Sequence, residues 1–267
     1  MKLAKAEAVY RPNILINGDF QVWPRGEIFS NIANQYTAAM WKLENANTQV
    51  SVVEKSSDIP EGVDCNYSIH IKDTGTLANI YFSQYLKNGL KGKYVLSFWY
   101  KSTSNMNSYI YDNGSAQLFM SENTNGIWKY KMLKINATNL TRICLIQDGC
   151  NGDFYLASVR LYSGEVDFKH IEEDEAIAQM RSQQYVLAIP QVSVARYSYR
   201  AGISYFSGFI FPIEMASKPN ITGTYITSDT QTINISIDAN SRGIMYSYAQ
   251  IDATGLDMRN MMISCEP

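Results

Sequence analysis

The 267-residue chain contains only two histidines, His70 and His170, and neither lies in a recognisable catalytic pattern. A Ser-His-Asp or Cys-His site needs a histidine base beside its nucleophile, so that chemistry has almost no material here. The phosphate-binding P-loop, the Rossmann glycine fingerprint and the H-E-x-x-H zinc signature are all missing. Four cysteines, Cys65, Cys144, Cys150 and Cys265, form no C-x-x-C pair, and with two histidines they do not make a zinc set. Reduced thiols are the expected state, with a Cys144–Cys150 bridge across Asp148-Gly149 as the alternative. Charge is also scarce: 18% of residues are charged and the formal net charge is -2. No strong pull toward nucleic acid or anionic membrane follows from that balance. No apolar run approaches the roughly 18 residues of a membrane span. Residues Met1 to Arg11 alternate Lys and Ala without the apolar core of a secretion signal. The expectation is therefore no nucleic-acid partner, no membrane insertion and no export by the usual route.

What the chain does contain is tyrosine, 19 in all, with 4 tryptophans and many Ser, Thr and Asn. Such a polar but uncharged surface suits sugars, obligate oligomers, or both. From residue 12 the pattern is β. Thr48 to Glu54 and Tyr67 to Lys72 alternate polar and apolar residues as half-buried strands do. His70 falls on the polar side of its strand, opposite Ile69 and Ile71, as a surface or satisfied histidine. Gly89-Leu90-Lys91-Gly92-Lys93 reads as a turn leading into Tyr94 to Lys101. That last segment is apolar on both faces, which places it centrally in its sheet. Asn113-Gly114 predicts a hairpin turn. Eight to ten strands fit between 12 and 163, the signature of a β-sandwich or jelly roll.

The character changes at Ser163-Gly164. Residues 165–185 place Ile171, Ala176, Ile177 and Met180 at helical spacing, with acids early and Arg181 late, as the helix dipole favours. His170 lies just ahead, in a linker or capping role. Residues 186–267 return to alternating strands. The fold expected is all-β: a docking arm (1–11), a jelly-roll β-sandwich (12–164), a short linking helix (165–185) and a small C-terminal β-sandwich tip (186–267).

Three segments carry a family likeness. The first is Asn13-Ile14-Leu15-Ile16-Asn17-Gly18-Asp19-Phe20-Gln21-Val22-Trp23-Pro24-Arg25-Gly26, answered by Asp153 to Leu161. The second runs from Ile80 through Ser83-Gln84 to Ser97-Phe98-Trp99. The third is the helix Glu175 to Tyr185 followed by Phe211-Pro212-Ile213-Glu214-Met215-Ala216-Ser217-Lys218-Pro219. Their order over residues 12–265 resembles bacteriophage fibre and tail appendage proteins, with a domain similar to jelly-roll carbohydrate-binding modules. Two places depart from that pattern. Tyr36-Thr37-Ala38-Ala39-Met40-Trp41 lacks the family's Asp-Arg pair, and the helix lacks its Cys.

The resemblance implies a non-enzymatic virion protein, made in the host cytoplasm and carried on the phage particle. It implies a homotrimer that docks on other virion proteins through residues 1–11 and adheres to host surface glycans. Two alternatives accompany it: a structural decoration or adaptor protein of head or tail, and the carbohydrate-binding module of a polysaccharide-active protein. It also implies a structural Ca2+ between first and last strands, held by Asp19 and Asp153; the competing reading makes both turn or strand-end residues with local hydrogen bonds. Sugar binding would use aromatic platforms. Among Trp99, Tyr109, Tyr111 and Trp128, the two tryptophans are expected in the core, leaving Tyr109 and Tyr111 exposed beside their turn. A second aromatic and basic cluster, Arg196, Tyr197, Tyr199 and Arg200, suits a trimer interface or a receptor groove, with Tyr197 and Tyr199 as its sugar-binding candidates. Glycosidase chemistry needs only two carboxylates, and none of the 25 acids sits in a catalytic context.

Overall fold

The structure, a computed structural model, describes residues 13–45, 50–73, 80–147, 151–165, 175–200, 203–210, 215–216, 219–227, 236–249 and 255–265. The chain divides into two compact units, Met1–Glu173 and Asp174–Pro267. The arm at 1–11 and His170 lie outside the described residues.

The first unit holds β1 (Ile28–Ile32), β2 (Gln35–Tyr36), β3 (Lys42–Asn45), β4 (Val50–Ser56), β5 (Ser68–Asp73), β6 (Ile80–Ser102), β7 (Met106–Asp112), β8 (Ser115–Glu122), β9 (Lys129–Gln147) and β10 (Gly152–Ser163). All pairings are antiparallel, in the order β1-β4-β5-β10-β6-β9-β7-β8, with β3 on β6 and β2 on β3. The strands β6 and β9 are long enough to serve two sheets. Residues 94–102 of β6 pair with β10, and 94–100 also with residues 129–135 of β9; residues 80–83 pair with β3, and 81–85 with residues 142–147 of β9. Sheet I is therefore β1-β4-β5-β10-β6-β9 and sheet II is β2-β3-β6-β9-β7-β8. Folded over one another, they make a jelly-roll β-sandwich.

The passage between sheets uses the residues that look like a turn. Gly89 to Lys93 lies inside β6. Asn88, Gly89 and Gly92 take φ of 76°, 58° and 112°, and the β6–β9 register shifts twice between Tyr85 and Gly92. Positive φ here makes bulges, which bend a strand instead of reversing it. The hairpin expected at Asn113-Gly114 is present, both residues at positive φ between β7 and β8, as a type I′ turn requires. Tyr94 to Lys101 is central as expected, flanked by β10 and β9.

Inward residues of both sheets form one core. Sheet I sends in Val53, Ile69, Ile71, Leu96, Phe98 and Leu156; sheet II sends in Leu43, Phe82, Ile110, Ile143 and Leu145. Trp41 stacks on Phe82 (centroids 5.2 Å, 10°), and Phe20 tilts against both. The opening motif closes one end. Beside the second half of β10, where β5 has ended, the backbone of 13–18 takes over the pairing: Ile14 N donates to Leu161 O and Val159 N donates to Gly18 O. The Asn13 carboxamide donates to Val159 O and accepts from Leu161 N. Asn17 closes the following loop, its carboxamide donating to Val22 O and accepting from Val22 N. Trp41 Nε1 donates to Asn17 O.

Several carboxylates act as structural acceptors. At the end of β7, Asp112 accepts from the amides of Thr138 and Asn139 and from the Thr138 hydroxyl. Burial alone would raise its pKa, but these donors outweigh burial and lower it. Glu122, bonded by Lys131 and Tyr100, is also lowered. A depressed folded pKa adds stability that is present above the unfolded value of about 4 and is lost as pH falls through the folded value. Asp112→Asn is expected to cost about 1.5–3 kcal/mol at neutral pH, the range for hydrogen bonds to a charged group. Thermal melts from neutral to acid pH check it: the deficit shrinks as the wild-type carboxylate protonates.

The second unit holds α1 (Glu175–Gln183), then β11 (Val186–Arg200), β12 (Ile203–Ile210), β13 (Asn220–Thr227), β14 (Ser236–Asn240), β15 (Gly243–Ala249) and β16 (Gly255–Ser264), in the order β13-β16-β11-β12-β15-β14. β11 repeats the device of β6, pairing with β16 over Val186–Ala195 and with β12 over Arg196–Arg200. The described helix is nine residues and falls within the expected 165–185, of which 166–174 lie outside the described residues. It buries Ala178 and Ser182 and leaves Ile177 and Met180 exposed.

Candidate functional site

Strand alternation builds an aromatic and charged face on the outside of sheet II. In β6, Ile80 and Phe82 enter the core, so Tyr81, Ser83 and Tyr85 point outward. In β9 the alternation is broken: Phe82 pairs with Ile146 but Ser83 pairs with Cys144, leaving Leu145 as an extra residue. This bulge lets Leu145 and Ile146 both reach the core while Cys144 and Gln147 stay on the outer side. Register then lines up three rows. The central one runs Tyr36–Lys42–Ser83–Cys144–Tyr109–Leu118 across six strands. One side row is Glu44–Tyr81–Gln147–Asn107–Ser121, and the other is Tyr85–Arg142–Tyr111–Ala116. Five tyrosines thus share one sheet face.

Arg142 organises the face. Its guanidinium carbon lies 4.9 Å from the ring centroids of Tyr85 and Tyr111 and 5.4 Å from that of Tyr81. Each such contact contributes about 0.5–2 kcal/mol, more as water is excluded. Glu44 lies beside it, its Oε2 2.9 Å from Arg142 Nη2 and accepting from the Tyr85 hydroxyl at 2.8 Å, while its Oε1 lies 2.8 Å from Lys42 Nζ. The Arg142–Glu44 approach is an ion pair by distance, yet its angle is not that of a hydrogen bond, and Arg142 Nε and Nη2 are buried without a hydrogen-bond acceptor. Burial would raise the Glu44 pKa, but the bonds from Lys42 and Tyr85 and the Arg142 charge lower it. The same burial, with the bond to Glu44, pushes the Tyr85 phenol up to about 12. Tyr111 donates to Gln147 Oε1 at 2.8 Å. Tyr36 carries Lys42 and Arg25 over its ring, at 5.7 and 5.4 Å. The face therefore offers tyrosine edges and faces, a side-chain amide, and cations held in place.

A second cluster lies on the outer side of sheet I. Register aligns Glu54, His70, Tyr155 and Lys101 across four strands. His70 stacks on Tyr155 at 4.2 Å, with Lys101 Nζ 4.0 Å from the same ring's centroid. His70 places Nδ1 2.8 Å from Glu54 and Nε2 2.9 Å from Asp153, and donates to both only with two protons. Lys101 and the Trp128 indole both bond to Asp58. Its ring faces and carboxylates are spent on one another, so this cluster reads as an internally satisfied network.

Of the sugar-binding candidates read from sequence, Tyr109 and Tyr111 lie on the sheet II face. Tyr197 and Tyr199 fall in β11, in a stretch whose side chains are outside the described residues. Trp99 and Trp128 are not core residues. Both are half-buried on the outer side of sheet I, Trp99 against Tyr130 and Trp128 against Tyr155. The tryptophans that fill the core are Trp41 and Trp23. Asp19 and Asp153 have separate partners. Asp19 is paired with Arg160 in a buried contact, and Asp153 accepts from His70. Seven β10 positions separate Asp153 from Arg160, roughly 20 Å of strand. A metal on both carboxylates would have to displace both partners, and among the described residues no group of three His, Cys, Asp or Glu is arranged for a metal ion. Cys144 donates its thiol to Ile146 O, and Cys150 lies outside the described residues.

Sequence reasoning missed Tyr81, Tyr85, Arg142 and Glu44. The alternation of Tyr81, Ser83 and Tyr85 was one available signal; an arginine inside the apolar run Thr141-Arg142-Ile143-Cys144 was another.

No family model matches the sequence, and no curated protein matches it. Solved structures do overlap with it. An enzymatically active domain of tailspike protein 4 from bacteriophage CBA120 is 21% identical, with a TM-score of 0.43, and the overlap covers 56% of this chain and 21% of that one. The module TmCBM61, solved with β-1,4-galactotriose, is 16% identical over 57% of this chain and 99% of its own, with a TM-score of 0.39. A putative sugar-binding protein from Bacteroides thetaiotaomicron is 14% identical over 57% of this chain and 100% of its own, also at 0.39.

Proposed function

We propose that this chain is a virion appendage protein of a bacteriophage that adheres to host surface glycans, binding them non-covalently on the outer face of sheet II. The observation that carries the reading is the assembly of Tyr36, Tyr81, Tyr85, Tyr109 and Tyr111 on one sheet face around Arg142, Glu44 and Gln147. Pyranose rings present C–H faces that pack on aromatic rings and hydroxyls that amides and carboxylates read. Glycoside hydrolysis needs two carboxylates flanking the bond. Among the described residues in the three rows, Glu44 is the lone carboxylate, and it is engaged by Lys42, Arg142 and Tyr85. Binding without turnover fits that inventory. The likeness of the Asn13–Gly26 and Phe211–Pro219 segments to phage fibre proteins supports the virion part of the reading, as it supports a homotrimer docked through residues 1–11. Three linked faces would turn weak sites into avid ones.

The test is light scattering on the purified chain followed by binding to intact host cells and to immobilised glycans. The expected mass is three times the 30.2 kDa of one chain, with cell binding competed by soluble glycan. A trimer that leaves cells and glycans unbound would replace adhesion by a structural role on the particle. A monomer that binds glycans would replace the fibre by an isolated carbohydrate-binding module.

A further inference from the structure

We propose that the free edge of β8 docks an extended, acidic segment of a partner protein, which adds a strand to sheet II and places an aromatic side chain in the cavity beneath. This edge borders the glycan face but is a separate surface, and its partner does not depend on what that face binds. Among the described residues β8 pairs with β7 alone, so its other edge presents backbone N–H and C=O groups without a strand partner. Sheets protect such edges by keeping them short or by charging them. Strand β1 is five residues long and β2 is two. The stretch of β9 beyond its pairing with β7, residues 129–136, carries Lys129, Lys131 and Lys134. β8 is eight residues long, and from Ser115 to Ser121 it has neither charge nor proline. A long edge left unguarded suits strand addition.

The space beneath this edge is already shaped. β8 ends sheet II and residues 129–136 of β9 end sheet I, and between these two lips lies a cavity of about 390 Å3 lined by Ile110, Phe119, Leu133 and Ile135. Polar bridges fix its ends. Glu122 of β8 accepts from Lys131 and Tyr100 at one end, and Asp112 accepts from the amides of Thr138 and Asn139 at the other. The β8 bulge pairs Tyr109 with Leu118 and Ser108 with Met120, and its extra residue, Phe119, packs against the core. A cavity of about 150 Å3 already admits benzene, so this one has room for an aromatic side chain. In an added strand every second side chain points into the sandwich, and the middle one of these meets the cavity. Leu118 on one lip and Tyr130 and Met132 on the other are exposed large apolar residues that a covering strand would shield from water. Charge names the partner's sign. The β9 lip carries three lysines and no acid, and the β8 lip carries one acid, Glu122, so the two lips are left positive. Asp112 is taken by its amides, and Glu165, bonded to Lys93, also feels the Lys134 charge. A positive rim around an apolar cavity selects an acidic strand over a basic one.

The experiment titrates the full chain with short, end-capped, fluorescent peptides that alternate Val and Glu around a central Phe, read by anisotropy. Three relatives of that peptide accompany it: one with Lys for Glu, one with Ala for Phe, and one N-methylated throughout its backbone so that it cannot donate to a strand. The Glu peptide is expected to bind about three- to tenfold more tightly than the Lys peptide, the scale of one or two exposed charges. Losing Phe is expected to weaken it about 10–30-fold, the scale of an aromatic anchor, and N-methylation to abolish binding. Lys129→Glu, at an exposed position, narrows the preference for Glu over Lys. Leu133→Phe, which fills part of the cavity, narrows the preference for Phe over Ala. Thermal melts confirm folding, and the Phe and Ala peptides on the unaltered chain decide the cavity's role if Leu133→Phe does not fold. A Glu peptide that does not bind, or an N-methylated one that binds as well, overturns strand docking. A Lys peptide that binds equally or more tightly overturns the acidic partner, and an Ala peptide that binds as well as the Phe one overturns the cavity as its anchor.

Discussion

An Asp19→Ala protein is expected to unfold at a markedly lower urea concentration, having lost about 3–5 kcal/mol, the cost of leaving a buried charge without its partner. Both members of the pair are almost completely buried, and Arg160 Nη2 reaches both Asp19 oxygens. Arg160 also donates to Val159 O, beside the point where Asn13 and Gly18 dock. The unpaired guanidinium would therefore strain the seam that holds the first segment on β10. A second variant separates charge from packing. Replacing the pair together, by Asp19→Leu with Arg160→Met, is expected to recover most of the loss, because a well-packed apolar pair avoids the desolvation that an ion pair must overcome. Equilibrium urea unfolding of the two proteins beside wild type decides it. A single substitution that costs under about 1 kcal/mol would place the pair among ordinary surface bridges and sink the argument.

That pair also explains why the most conspicuous motif of the sequence is a poor guide to the site. Asn-Gly-Asp in front of an aromatic reads equally as a turn, a metal ligand or a family signature. Its side chains are spent on architecture. Asn17 closes a loop, and Asp19 neutralises Arg160. Gly18 lies so close to β10 that an added Cβ would sit 2.0 Å from Val159 O. Local chemistry was legible there; the partner, 141 residues away, was not. The β pattern was readable for a related reason. Alternation and the Asn113-Gly114 turn are local properties, and they predict strands and a hairpin that the structure contains. Gly89 to Gly92 misleads because positive φ serves bulges as well as turns, and the sequence around it does not say whether the partner strand continues. Trp99 and Trp128 mislead because large aromatics are assigned to the core by size, whereas Trp99 sits on the outward side of a strand whose inward side already holds Phe98 and Tyr100. The face of sheet II was half visible. Tyr109 and Tyr111 could be picked out beside their turn, but Tyr81, Tyr85 and Arg142 join them only through register, and one bulge at Leu145 sets that register.

Replacing Tyr109 by Ala is expected to weaken glycan binding by roughly thirtyfold, about 2 kcal/mol, the usual scale for losing a central aromatic anchor. The choice among five tyrosines follows from what each ring already does. Tyr81, Tyr85 and Tyr111 have the Arg142 guanidinium at their rings, and Tyr36 has Lys42 and Arg25. Tyr109 sits in the central row between Cys144 and Leu118, one row from Arg142. Removing it deletes stacking area while the three rings that box Arg142 stay in place, and a thermal melt beside the titration reads fold and affinity apart. Tyr111→Phe probes the box instead: it loses the bond to Gln147 and is expected to lower affinity by only about 1 kcal/mol, a single hydrogen bond. Trp99→Ala, on the outer side of sheet I, is the control and is expected to leave affinity unchanged. Titration of the three variants with one glycan ligand ranks them. If Trp99→Ala abolishes binding while Tyr109→Ala does not, the ligand sits on sheet I, and the stacked His70, Tyr155 and Lys101 become the groups to explain it. The two faces differ in one physical respect that makes the ranking informative. On sheet I the stacked ring of Tyr155 has the imidazole of His70 and the ammonium of Lys101 against it, and the indole of Trp128 at its edge. On sheet II the Arg142 guanidinium lies at the rings of Tyr81, Tyr85 and Tyr111, so the loss of Tyr109, one row away, reads ring stacking apart from that cation.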